Sequence, residues 1–139
     1  MKIDLDKCHF KKFTKDERSS FSYWYYHWKA FNLLALSLGV WKFKYLFHDC
    51  EKPWLRLFFD YKKVQEIHRR NNSHHLEYKN APDYDWEAMV IDWECSRYTK
   101  LAAQLNAREE CDRKISVNHP KSELLKENFY KVCDKFGLK

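Results

Sequence analysis

The sequence predicts a compact, single-domain, all-α fold, a bundle of about five to six helices, on the evidence of its turn formers, its apolar periodicity and its composition. Only two glycines and three prolines occur in 139 residues, too few for the tight turns of a sandwich or barrel. Apolar residues recur at three- and four-residue steps, the spacing of one helix face. Hydrophobic residues make up 45% and aromatics 18%, which excludes disorder over most of the length. A chain of this size buries about two-thirds of its unfolded surface, so stability alone requires no metal or disulfide.

Residues 1–19 read as an N-terminal arm and 20–139 as one helical domain. The first long helix is expected from about Ser20 to Leu38, where Trp24, His27, Phe31, Leu34 and Leu38 share a face. Gly39 ends it, and a short helical segment, Val40 to Cys50, carries the stripe Trp41, Tyr45, His48, Lys52. Pro53 divides this from a helix spanning Trp54 to Arg70, with Leu57, Phe58, Tyr61, Val64 and His68 in phase. The polar run Arg69 to Ser73 reads as a loop, and His74-His75-Leu76 fits a short helix or an irregular stretch equally well. Asp83, Asp85 and Glu87 suit the positive end of a helix dipole and open a helix to Asn106 whose wide apolar pattern predicts burial on several sides. Pro82 and Pro120 are further dividers, and a last helix, Pro120 to Phe136, is capped by Gly137.

No apolar run is long enough to cross a membrane, and the start has no signal-peptide core, so a cytoplasmic protein without membrane partners is expected. Cys8, Cys50, Cys95, Cys111 and Cys133 are scattered and odd in number, the pattern of reduced thiols filling a core. The formal charge of +6 suits phosphate-bearing small molecules or nucleic acid. Phe21, Tyr23, Trp24, Tyr25, Tyr26 and Trp28 cover every side of one helix, so part of that cluster must be exposed or meet a partner; a large core with a homodimer contact is expected before a stacked base.

Chemistry concentrates in the histidines. His27 lies between Trp24 and Phe31, His48 is followed by Asp49, His68 closes a helix, His74-His75 follow, and Asp92 stands mid-helix between Met89 and Trp93. Imidazole and carboxylate are ordinary ligands of divalent transition metals. An aspartate inside a helix is a poor helix former and, if buried, must be paired or metal-bound. Asp85 and Glu94 read instead as a helix-start charge and a surface acid, and His9 and His119 as surface residues.

The order His27-Trp28-Lys29, His48-Asp49-Cys50-Glu51-Lys52, His68 through Asn72 to His74-His75, and Met89-Val90-Ile91-Asp92-Trp93 resembles the metal-binding signature of the HD-domain superfamily of phosphohydrolases. It is most similar to a group of small bacterial and phage proteins, over roughly residues 20–100. The resemblance implies an all-helical fold in which His27, His48, Asp49 and Asp92 ligate one divalent ion (Mn, Fe, Ni, Co, Zn or Mg). It further implies that His68 and one of His74 or His75 complete a site for a second ion or contact the substrate phosphate; His74 is assigned to the ligands and His75 to catalysis. Lys52, Arg69, Arg70 and Asn72 would bind the phosphate, and Lys52 and His68 or His75 would assist its transfer to a metal-activated water. The expected function is hydrolysis of a nucleotide or related phosphate ester. The alternative is a basic nucleic-acid-binding or regulatory protein whose metal is structural or vestigial.

Overall fold

Helix α1, Phe21–Ser37, forms where the apolar stripe predicts it, and the Ser20 hydroxyl accepts the Tyr23 N–H at 3.1 Å to cap its start. The computed structural model describes residues 3–81, 83–101, 104–115 and 122–139, and among them six α-helices and short 3₁₀ turns, with no strand. His119, Pro82 and Pro120 lie outside the described residues.

The remaining helices are α2 (Glu51–Leu55), α3 (Tyr61–Asn71), α4 (Trp86–Cys95), α5 (Ala107–Lys114) and α6 (Ser122–Lys135). Helix α4 is the centre of the molecule, buried at every residue from Ala88 to Cys95. One side meets α1 in a cluster with Phe31, Leu34, Ala35 and Tyr45, and the other meets α5 and α6 through Trp93, Ile115, Phe129 and Cys133. Two cores on one helix explain its wide apolar pattern, and they fix Asp92 between them. No helix among the described residues is long and apolar enough to cross a membrane.

Several expected boundaries shift. Val40 to Cys50 holds only a 3₁₀ turn, Phe43–Phe47, so His48 and Lys52 are not stacked on one helix. The chain leaves that turn at His48 and reverses at Asp49, whose φ of 57° is left-handed. Pro53 sits inside α2, in the first turn, where a missing N–H costs nothing. The expected Trp54 to Arg70 helix is two helices, because the Asp60 carboxylate takes the Lys63 N–H at 2.8 Å and starts α3 afresh. Leu57 and Phe58, expected on its buried face, are exposed. The Asp83 to Asn106 helix stops at Cys95 and passes into a 3₁₀ turn, Ser96–Tyr98. Helix α5, not anticipated, is nucleated by Asn106 and Glu109, each side chain accepting the other's backbone N–H at 2.9 Å.

The arm is built into the domain. Leu5 is in the core, and Phe13, fully buried, pairs with the segment after α4: its N–H donates to Thr99 O at 2.8 Å and its carbonyl accepts the Leu101 N–H at 3.0 Å. The aromatic cluster of α1 is mostly half-buried. The exposed apolar surface lies instead on the 43–59 segment, where Phe43, Phe47, Trp54, Leu57 and Phe58 face outward.

Candidate metal centre

His27 from α1, Asp92 from α4 and the His48-Asp49 pair from the turn before α2 meet at one buried point. Their locations follow from the local structure. His27 is one turn before the core residue Phe31, whose ring stacks flat on His48 with centroids 3.7 Å apart. Asn32 ties the intervening chain down: its amide donates to Tyr45 O at 3.0 Å while its own oxygen accepts the Trp41 indole at 2.9 Å. The Trp24 indole donates to Asp49 O at 2.9 Å and holds the left-handed turn that presents the Asp49 carboxylate inward.

Asp92 Oδ1 lies 2.9 Å from His27 Nε2 and 3.1 Å from His48 Nε2, and the two nitrogens are 3.2 Å apart. Asp49 Oδ2 stands 3.5 Å from each of those nitrogens. All four donor atoms lie within 4.8 Å of one another. Ligands about 2.0–2.2 Å from a common zinc-like ion fall at such mutual separations, so the set fits a divalent metal in size and in chemistry.

The other oxygen of Asp49 faces a second group. Asp49 Oδ1 is 3.1 Å from His68 Nε2 and 3.2 Å from His74 Nε2, yet neither pair is aligned as a hydrogen bond. Asp49 Oδ1 and the Nε2 atoms of His68, His74 and His75 are all buried with no hydrogen-bond partner. Four partnerless buried polar atoms in one place are costly unless something else satisfies them. The three imidazoles again lie within metal-ligand reach of one another, so Asp49 stands between two groups that can each hold an ion.

Charge is balanced inside the cluster. Burial opposes ionisation of Asp92, but hydrogen bonds from His27 and His48 outweigh it and hold its carboxyl well below the usual range. Burial likewise opposes the Asp49 charge, and His48, Lys52 and His68 overcome it. Burial, with His74 adding to it, pushes His48 down to about 4 against the pull of Asp49 and Asp92, so its ring is neutral and can offer a lone pair. His68 is raised despite burial, because Asp49 and Glu51 flank it. Its Nδ1–H is held by the Glu51 carboxylate, which aims Nε2 at Asp49.

The other expected site residues divide into two groups. Lys52 reaches the cluster, its ammonium 3.2 Å from Asp49 Oδ2, and stays charged despite burial through the pull of Asp49 and Asp92. Arg69, Arg70 and His75 line an open cleft of about 1030 Å³ that ends on His27, Asp49 and Asp92. His68 is fully buried behind Asp49 and does not line this cleft, so it sits among the candidate ligands and away from the space a substrate would occupy. His75 is held well below its ordinary value by burial and by His74, so it faces the cleft neutral, as a poor acid. Asn72 points away from the cleft, donating to Glu51 Oε1 at 3.1 Å and to His68 O at 2.8 Å, which makes it a brace for His68 in place of the expected phosphate contact. Of the two acids set aside, Asp85 does cap α4, but Glu94 is buried, accepting the Ala107 N–H at 2.7 Å and pairing with Arg97 at 3.1 Å. His9 is exposed.

Residues to which the sequence assigned no role complete the site. Glu51 is readable in hindsight as the acid three residues after His48. Arg18, Tyr23, Tyr61, Lys100 and Lys114 line the cleft from four separate stretches, and of these only Tyr23, one helical turn before His27, is tied to a histidine by local spacing. Tyr23 stacks on His27, and burial followed by the Asp92 charge raises its phenol, which therefore keeps its proton. No family model matches this chain, and neither does any curated protein or solved structure, so what it can do is read from these side chains.

Proposed function

We propose that the chain is a metal-dependent phosphohydrolase of the HD type, acting on a nucleotide or a related phosphate ester. The observation that carries the reading is Asp49: one carboxylate turned at once toward His27 and His48 and toward His68 and His74, beside a basic cleft. In this reading His27, His48, Asp92 and Asp49 Oδ2 hold one ion, and His68, His74 and Asp49 Oδ1 a second. The imidazole content favours Mn, Fe, Ni, Co or Zn over Mg. A divalent ion so held polarises phosphoryl oxygen and lowers the pKa of coordinated water from nearly 16 toward about 7.

The chain's own groups supply the rest. Lys52, positive and at the cleft floor, offsets charge on the phosphoryl oxygens as it builds up, the effect that usually contributes most to such a reaction. The Tyr23 phenol, always protonated at working pH, can only donate to such an oxygen. Arg69 and Arg70 at the rim attract and orient the anion. Structural metal sites are closed, whereas this ligand set is reached from a cleft, which favours catalysis over scaffolding. A basic cleft also suits nucleic acid, and that alternative predicts affinity falling steeply with salt and no turnover.

The test is elemental analysis of purified wild type and Asp49→Asn, paired with hydrolysis of p-nitrophenyl phosphate and bis(p-nitrophenyl) phosphate in Mn²⁺, Fe²⁺ or Zn²⁺. Wild type should carry one to two ions and turn over one of these esters, and the variant should do neither. A loaded wild type with no turnover, or a variant that retains its metal, would refute the proposal.

A further inference from the structure

The cleft is larger than one phosphoryl group needs, and its charge extends well beyond the metal ligands. Eight basic and five acidic residues line it, and two of the five are Asp49 and Asp92. Arg69 and Arg70 stand on α3. The cleft is also lined by Arg18, Lys100 and Lys114, which come from other elements and belong to none of the histidine motifs.

The backbone places these three deliberately. The reciprocal hydrogen bonds between Phe13 and the Thr99–Leu101 stretch lay the arm alongside the chain after α4. The 3₁₀ turn Asp16–Ser19 then packs on α1 and sends Arg18 into the cleft beside Lys100, while Lys114 arrives from the end of α5. Three like charges gathered together repel one another, and burial aggravates this: both lysine ammonium groups are lowered by burial, which outweighs the pull of Glu110 and Asp92, with Arg18 adding to the effect at Lys100 and Lys100 at Lys114.

Their partners do not balance them. Among the described residues no carboxylate lies within ion-pair distance of Arg18 or Lys100, and the Arg18 Nε–H is buried with no hydrogen-bond acceptor. Lys114 has only Glu110 at 3.9 Å and the face of Trp93 at 4.6 Å. A buried guanidinium N–H without an acceptor is unfavourable until an anion supplies one.

We propose that Arg18, Lys100 and Lys114 form an anion subsite that takes a second phosphate of the substrate, distinct from the one presented at Asp49 and Lys52. The substrate class is therefore a small molecule with at least two phosphate groups, such as a nucleoside di- or triphosphate. The word substrate rests on the phosphohydrolase reading; the anion subsite itself does not.

The test is calorimetric titration of the full chain, stripped of metal with a chelator, with inorganic tripolyphosphate at about physiological salt. Wild type should bind it one to one. Arg18→Ala and Lys100→Ala should each weaken binding by about tenfold or more, the loss expected for a charge-assisted hydrogen bond. Lys100→Arg should retain it, and Lys131→Ala, on the exposed face of α6, should leave it unchanged. Circular dichroism melts check that each variant is folded, and the two alanine variants act on different elements, so failure of one to fold leaves the other. Absence of binding to wild type, wild-type affinity in both alanine variants, or equal losses in Lys131→Ala would overturn the subsite. Tripolyphosphate binding that depends on Arg18 and Lys100 in a protein that turns over no phosphate ester leaves the subsite standing and removes the hydrolase reading. Turnover with no such dependence does the reverse.

Discussion

Asp49→Asn isolates the metal centre because it preserves volume and backbone preference while removing the one carboxylate shared by both histidine groups. Metal that binds the native chain and not the unfolded one stabilises it by about 2.7 kcal/mol at a hundredfold excess over the dissociation constant. Unfolding entropy near 2.1 cal/mol/K per residue gives about 0.3 kcal/mol per kelvin for 139 residues. The wild-type melting temperature should therefore rise by about 9 °C when metal-stripped protein is titrated with Mn²⁺ or Zn²⁺ to that excess. In Asp49→Asn both groups lose their common ligand, and the rise should fall below about 2 °C, a residue of weak binding by imidazoles alone. The metal-free variant should start lower, since Lys52 and His68 lose their counter-charge, but the difference between stripped and loaded samples cancels that term. Differential scanning fluorimetry with a chelator control reads both. An undiminished rise in Asp49→Asn would show that the ion sits elsewhere and refute the reasoning.

Glu51→Gln weakens the grip on His68, so metal affinity measured by competition with a chromophoric chelator should drop about 10–100-fold in a folded protein; unchanged affinity would deny Glu51 its bracing role. In the metal-free chain His48 is held at about 4 by burial and His75 is also depressed, so the unfolded state binds more protons as pH falls below about 6.5. Urea midpoints should thus decline steadily from pH 6.5 to 4 and fall further as Asp49 and Asp92 protonate; a flat profile would contradict the burial of these rings. Burial raises Cys111 to about 12 and Cys133 to about 11, so both stay protonated in the fold, and their contribution to stability is lost as pH climbs above about 9. A thiol reagent at pH 8 should label Cys8 and Cys50 in native protein and Cys95, Cys111 and Cys133 only on unfolding; simultaneous labelling of all five would refute this.

The elements legible in the sequence are those whose burial pattern is local. Helix α1 shows its stripe and its Ser20 cap, and α4 shows two-sided burial, so His27 and Asp92 could be put on core faces by reading alone. Helix α5 was hidden because it is mostly charged, with Ala107, Glu110 and Cys111 as its buried residues; the signal that existed was the Asn106-to-Glu109 capping pattern. The break before α3 was masked by Leu57 and Phe58, which continue a helical period yet face solvent, while the decisive residue was Asp60. The reversal at Asp49 depends on Trp24, twenty-five residues away, and no local pattern records such a bond. The same holds for the meeting of Arg18 with Lys100, which rests on the pairing of Phe13 with Thr99 and Leu101, far along the chain.

The left-handed backbone at Asp49 subjects that position to two independent selections. Folding alone tolerates the few side chains that accept a positive φ there, glycine and asparagine besides aspartate. Ligation accepts aspartate only. In a saturation library, sorting first for soluble expression and then for metal content should therefore give nested sets at position 49, a small one inside a slightly larger one. Asp92, on regular helix, has no such backbone filter. Its tolerated set under the first sort should be set by packing and polarity alone, so the two aspartates of the candidate centre would be told apart by what replaces them.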